Sequence, residues 1–298
     1  MSIAILCGGL GGSRCVDSLA RAAGLDAITA VGNVGDDLEI LGVHVSPDLD
    51  TILYTLAGLL DEERGWGVRD ETYNALSMAD RLGGESWFTL GDRDIGLHLV
   101  RTAWLREGLP LSEATRRLTE ALGVRVRLLP ATDDPLRTKI QTGEGELDFQ
   151  EWFVARLHRD PVTGLRYEGA EDATPAPGVL EAIVAAELVV IAPSNPFVSI
   201  FPILTVPGIR AAVEAKRVAA ISPLAAGKAF RGPLAEMMGS LGHEASAAGV
   251  AALYGDLVDV FVVAPGDACP PGAVTCAIDM VAPDRRADVG RQLLEALL

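Results

Sequence analysis

Ser2-Ile3-Ala4-Ile5-Leu6-Cys7 is a short apolar run that stops on Gly8-Gly9-Leu10-Gly11-Gly12. A strand buried on both faces of a parallel sheet reads in this way. Ser13 can then cap a helix carrying Val16, Leu19 and Ala20 on one face. Residues 27–31 supply a second apolar strand. A β-loop-α-β unit of about 30 residues opens a doubly wound α/β fold built on a mostly parallel sheet.

The rest of the chain keeps that rhythm. Residues 32–47 are rich in Gly and Asp and read as a long functional loop. A helix is predicted from Asp50 through Leu60, with Asp48 or Asp50 near its N-cap, and helical periodicity returns over 71–82, 92–107 and 112–122. Residues 124–129 read as a strand, and the polar, Pro-containing stretch from 167 to 177 ends a smaller inserted helical and β lobe of roughly 60–175. Strands are predicted over 188–192, 217–221 and 259–264, with a helix over 207–216. The 298 residues suffice for one large domain, so 1–298 is read as a single unit with that lobe.

Charge narrows the partners. The net charge of -16 argues against nucleic acid, which would want a basic stripe. It mainly serves solubility, yet an anionic substrate would still need a metal or a local basic patch. Cys7, Cys15, Cys269 and Cys276 form no C-x-x-C pair, and the four scattered histidines suggest no zinc site. Cys7 reads as a small core residue. With no charged n-region and no uninterrupted apolar span, a cytoplasmic protein with reduced thiols and no membrane partner is expected.

Several segments can carry chemistry. Gly8 to Gly12 sets backbone N–H groups and a helix N-terminus where phosphate oxygens can dock, although it has neither the lysine of a P-loop nor dinucleotide-fold spacing. Asp36-Asp37 and Ser46-Pro47-Asp48-Leu49-Asp50-Thr51 follow the second strand. Each can be turn or cap chemistry. Together, on the carboxyl side of the sheet, they can hold Mg²⁺ against a diphosphate. Trp87-Phe88 reads as core rather than as a wall for a planar substrate. Asp133-Asp134-Pro135-Leu136-Arg137 is an acidic turn with one Arg, suited to a phosphate or a metal. Pro193-Ser194-Asn195-Pro196, at the end of the strand over 188–192, is either a rigid turn or a ligand contact.

These segments, with Leu90-Gly91-Asp92-Arg93-Asp94 and Asp148-Phe149-Gln150-Glu151, resemble in their order the CofD/FbiA family, the 2-phospho-L-lactate transferases of coenzyme F-420 biosynthesis. The resemblance runs to at least residue 210. It implies a Rossmann-like fold, a homodimer and a Mg²⁺-dependent reaction. In that reaction the ribityl hydroxyl of the deazaflavin Fo attacks the phosphorus that bears lactate, or its enolpyruvyl counterpart, in a guanosine diphospho donor. GMP leaves. Asp50 and Thr89 would contact Fo, although Thr89 stands where the family often has a basic residue, and Leu10 replaces a common threonine.

The expected site follows. Asp36, Asp37, Asp48 and Asp50 are the pool for Mg²⁺, with Asp48 and Asp50 also orienting the hydroxyl. Gly8, Gly9, Leu10, Gly11 and Gly12 cradle the diphosphate, and Ser194 and Asn195 close the nucleotide side. Asp133, Asp134 and Arg137 are further contacts to the same pocket. If Asp50 is a helix cap, Asp50→Asn should leave stability almost unchanged, because Asn caps equally well. The rival reading is a nucleotide-sugar-binding regulatory protein of the gluconeogenesis-factor type. A dinucleotide-dependent oxidoreductase is disfavoured by the glycine spacing.

Overall fold

The structure, a computed structural model, describes residues 1–225, the backbone of 228 and 229, 232–267 and 270–298. Cys269 lies outside the described residues. β1 (Ile3–Cys7), α1 (Gly9–Ala23) and β2 (Ile28–Gly32) form the opening unit, with every residue of β1 buried. The reading of 32–47 as loop is corrected: β3 (Leu38–Ile40) and β4 (Val43–Val45) make an antiparallel hairpin there. Its inner residues Ile40, Val43 and Val45 bury against Leu90, with Trp87 and Phe88 packed edge to face beside them.

α2 (Pro47–Leu56) starts earlier than predicted, with Ser46 at its N-cap and Pro at the first helical position, where its missing N–H costs nothing. Asp50 is thus inside the helix and is not its cap. α3 (Asn74–Arg81), α4 (Asp92–Arg106) and α5 (Leu111–Ala121) fall where the periodicity put them. β5 (Arg127–Pro130) joins the main sheet, whereas β6 (Arg137–Thr142), β7 (Gly145–Asp148) and β8 (Val162–Glu168) form a separate antiparallel sheet in the order β7-β6-β8.

The second half returns to the main sheet. α6 (Val179–Ala185) leads into β9 (Leu188–Ile191), then α7 (Phe201–Thr205), α8 (Ile209–Glu214) and β10 (Val218–Ile221). β11 (Leu224–Ala225) pairs antiparallel with β12 (Lys228–Ala229). α9 (Leu234–Ser240), α10 (Ala247–Tyr254), β13 (Val260–Val263), β14 (Val274–Thr275) and α11 (Arg286–Leu297) complete the chain. No helix among the described residues is long and apolar enough to cross a membrane.

The main sheet has the order β14-β13-β10-β9-β1-β2-β5, and all its pairings are parallel. From β1 the chain winds one way through β2 to β5 and the other way through β9 to β14. The switch point lies between β1 and β9, where open α/β sheets bind their ligands beyond the carboxyl ends of the strands.

α1 is buried well beyond the single predicted face, because it sits between α2 and α11. It begins at Gly9, with Gly8 at the N-cap. Ser13 is therefore not the cap, and its hydroxyl donates within the helix to the Leu10 carbonyl at 2.9 Å. The contact with α11 is close enough that a Cβ at Gly290 would run into the Ser18 carbonyl. Gly290→Ala should therefore destabilise the protein by about 1–3 kcal/mol through overpacking, far from the cleft. The check is a lower denaturant midpoint at unchanged m-value; an unchanged midpoint would contradict so tight a contact.

Candidate active site at the switch point

A cleft of about 550 Å³ opens over the carboxyl ends of β1, β2 and β9. Its floor holds Gly8, Gly9, Leu10 and Gly11, with Asp36, Asp48 and Asp50 on one side and Pro193, Ser194 and Asn195 on another. Tyr54, Trp66, Phe88, Phe149 and Phe153 give it an apolar wall, and Phe149 and Phe153 stack at 5.4 Å. Thr89 also lines the cleft.

Asn33, at the end of β2, organises the floor. It is fully buried, and its Nδ2 lies 3.1 Å from Asp36 Oδ1, 3.0 Å from Asp48 Oδ2 and 3.0 Å from the Val198 carbonyl. An amide has two protons to share among these three acceptors. Its Oδ1 accepts from the Gly35 amide at 2.8 Å, which fixes the turn carrying Asp36. Gln150 donates to the other Asp36 oxygen at 3.0 Å. Asp48 Oδ1 accepts from the Gly9 amide at 2.6 Å.

Burial, followed by the charge of Asp48 and then that of Asp37, holds the Asp36 carboxyl well above the usual carboxylate range. Burial also pushes Asp48 up, to about 6, against the pull of its Asn33 and Gly9 hydrogen bonds. Two carboxylates kept side by side at such a cost favour a bound cation.

Asp50 and Asp37 have other partners. Arg101 of α4, itself almost fully buried, grips Asp50 with both terminal nitrogens, and Ser46 donates its backbone N–H to Asp50 Oδ2 at 3.2 Å. Burial alone would raise the Asp50 carboxyl, but the Arg101 charge and then His98 more than offset it and leave it below the ordinary value. His98 lies between two carboxylates, with Nδ1 3.7 Å from Asp50 and Nε2 3.0 Å from Asp94, and Tyr54 donates to that same Asp94 oxygen. Asp37 turns away from the cleft to take Ser46 Oγ at 2.9 Å and His44 Nε2 at 3.1 Å.

The four aspartates proposed as one pool for Mg²⁺ are therefore divided. Asp36 and Asp48 face each other, Asp50 is spent on Arg101, and Asp37 faces another chamber. Among the described residues no three His, Cys, Asp or Glu side chains converge to hold a metal unaided. The Asp36–Asp48 pair nevertheless fits Mg²⁺, which characteristically uses one or two carboxylates and completes its shell with water and substrate oxygens.

The glycine turn is also more committed than a bare cradle. The Gly8 amide donates to Ser194 Oγ at 3.1 Å and the Gly9 amide to Asp48, which leaves the N–H groups of Leu10 and Gly11 in the first turn of α1. Ser194 Oγ returns a hydrogen bond to the Gly8 carbonyl at 2.7 Å. Asn195 caps the helical turn after it, accepting from the Phe197 amide at 3.0 Å.

Asp133 and Asp134 do not reach the cleft. Asp133 takes the Ser112 amide at 2.6 Å and hydroxyl at 2.8 Å, and Asp134 takes both donors of Thr174 at 2.7 Å. Asp133 thereby holds the first turn of α5 and Asp134 ties its turn to Thr174, so both carboxylates are satisfied within the protein. Arg137 lines the second chamber, on the far side of Asp36.

Arg14 was missed by the sequence reading, although it directly follows the glycine turn. It is the only Arg or Lys among the described residues lining the cleft, its Nε has no partner, and its terminal nitrogen donates to Glu62 at 2.9 Å. Glu62 is shared with the buried Arg286 at 2.5 Å, which ties α1 to α11 across the cleft edge.

With this geometry in hand, the sequence can be set beside known proteins. The profile described as 2-phospho-L-lactate transferase CofD matches residues 3–286. The chain belongs to the CofD family. It is 43% identical over 282 residues to the phosphoenolpyruvate transferase of Thermobifida fusca, covering 90% of this chain and 88% of that one. It is 44% identical over 287 residues to that of Kitasatospora aureofaciens, covering 93% and 89%. A protein of the UPF0052 family from Bacillus halodurans superposes with a TM-score of 0.55 at 19% identity, covering 91% of this chain and 82% of that one, and it shares the fold. The CofD-family chain is thus a transferase, and a 2-phospholactyl or phosphoenolpyruvyl group is what it moves in coenzyme F-420 biosynthesis.

The Arg101 clamp reverses the expectation for Asp50. Asp50→Asn leaves a buried guanidinium without its counter-charge and should cost about 3–5 kcal/mol of stability. Chemical denaturation reads this directly, and a midpoint equal to wild type would return Asp50 to the role of a replaceable cap.

Proposed function

We propose that the chain transfers a phosphoenolpyruvyl group from a guanosine diphospho donor to the ribityl hydroxyl of Fo, releasing GMP. The observation that carries this reading is the pair of buried carboxylates, Asp36 and Asp48, set on one Asn33 amide beside the free amides of α1. The choice of enolpyruvyl over lactyl rests on relatives above 40% identity that bear the name phosphoenolpyruvate transferase.

Asp36 and Asp48 are the residues that would hold Mg²⁺, and when bound the ion neutralises charge gathering on the phosphoryl oxygens. The chain's own groups do the rest. Leu10 and Gly11 offer N–H groups and the positive end of a helix to the diphosphate. Arg14 supplies the cation that an otherwise acidic protein needs against an anionic donor. The wall of Tyr54, Trp66, Phe88, Phe149 and Phe153 excludes water, so that the acceptor hydroxyl rather than water meets the phosphorus. A new P–O bond forms to that hydroxyl, the bond to GMP breaks, and the hydroxyl proton is given up within the carboxylate cluster. Such transfer is driven mainly by positioning and electrostatics.

Incubation with Fo, the enolpyruvyl donor and Mg²⁺ should yield GMP and a phosphodiester of Fo detectable by mass spectrometry, and excess chelator should abolish both. Asp48→Asn should lower kcat roughly a hundredfold or more. Arg14→Met should act chiefly on the KM for the donor. Tight binding of the guanosine donor with no turnover under any of these conditions would instead favour the regulatory-protein reading.

A further inference from the structure

Behind Asp36 lies a second chamber of about 530 Å³, separated from the cleft by Asp36, Phe149 and Gln150, which line both. Six carboxyl groups surround it: Asp36, Asp37, Glu39, Glu85, Asp148 and Glu151. Arg137 is its only basic lining residue among the described residues, and its terminal nitrogen is held by the Leu136 carbonyl at 2.8 Å. Lys139 takes Asp148 at 2.6 Å, but among the described residues Glu39, Glu85 and Glu151 have no ion-pair partner. A pocket of this sign concentrates cations and repels anionic substrates.

The charge alone would describe a solvated acidic surface. Two buried oxygens make it more than that. Asp37 Oδ1 and Thr138 Oγ1 both lack any hydrogen-bond partner, and both residues line this chamber while being only 4% and 1% exposed. Unpartnered oxygens in the interior cost free energy unless something fills their coordination. Asp37 Oδ2 is fully occupied by Ser46 and His44, so the open oxygen is the one left for the chamber. Thr138 is fixed by its place in β6, and its hydroxyl lies against Gly35, in the turn that carries Asp36 and Asp37.

We propose that this chamber binds a hydrated divalent cation at a position separate from the Asp36–Asp48 pair, with Asp37 Oδ1 and Thr138 Oγ1 as its inner contacts. All-oxygen surroundings select a hard ion, and the absence of three converging carboxylates among the described residues means that the ion keeps much of its water. The chamber thereby stores positive charge directly behind the most acidic part of the site, reached from a side that the anionic donor does not share.

Trp87 lines the chamber and Trp66 lines the cleft, so the two positions can be told apart by energy transfer to Tb³⁺, a hard oxygen-seeking stand-in for the divalent ion. The full chain should give saturable Tb³⁺ emission on tryptophan excitation, displaced by Mg²⁺. In an Asp48→Asn background, which disables the cleft position, Trp87→Phe should remove most of the remaining emission, whereas Trp66→Phe should retain it. Thr138→Val keeps the side-chain shape, leaves no orphaned hydroxyl and should fold; it should weaken Tb³⁺ binding roughly fivefold, the scale of one lost oxygen contact. Emission that survives Trp87→Phe in the Asp48→Asn background, that vanishes in Asp48→Asn alone, or that is absent from the wild-type chain would overturn the proposal, as would an affinity left unchanged by Thr138→Val in a folded Asp48→Asn protein. No substrate is present in this titration, so its failure leaves the transfer reaction untouched.

Discussion

Everything at the switch point depends on one side-chain amide. Asn33 receives the chain from β2, its backbone N–H donates to the Cys7 carbonyl at the end of β1, and its Nδ2 reaches two carboxylates and the loop after β9. Without that donor, Asp36 and Asp48 would be buried charges with too few partners, a condition that proteins avoid. With it, both can be held ready for a cation. The raised Asp48 carboxyl is the measure of what that arrangement costs the protein when no cation is bound.

The same constraint explains the glycines. Asp48 Oδ2 occupies the space a Cβ on Gly8 would need, the Pro193 carbonyl occupies that of Gly11, and Ser194 Oγ would lie 2.7 Å from one on Gly12. Gly9 alone takes a left-handed backbone, at a φ of 62°, to turn the chain from β1 into α1. The glycines let the loops approach closely enough for the remaining amides of the first turn to face the cleft.

Every strand of the main sheet except the two-residue β14 was legible, because each is a short apolar run beside a turn signal, and parallel strands buried on both faces carry little else. Asp36 and the loop at 193–196 stood out because each directly follows a predicted strand, and Asp48 because a second acidic run comes soon after the first. The β3–β4 hairpin escaped notice since its three-residue strands are too short for alternation to register against the glycines around them. Asp50 was misread for a different reason. Its partner Arg101 lies 51 residues away on another helix, and no local pattern announces a tertiary ion pair. Asp133 and Asp134 erred the opposite way, since an acidic turn satisfied by Ser112 and Thr174 looks the same in sequence as one awaiting a ligand.

The central claim is that Asp36 and Asp48 share a buried amide and are strained in their charge until a cation arrives. Carboxyl carbon NMR of Asp48 in metal-free protein, followed as a function of pH, tests it most directly. The account predicts a titration midpoint of about 6, falling when Mg²⁺ is added. A midpoint at the ordinary 3.8, unmoved by Mg²⁺, would contradict it.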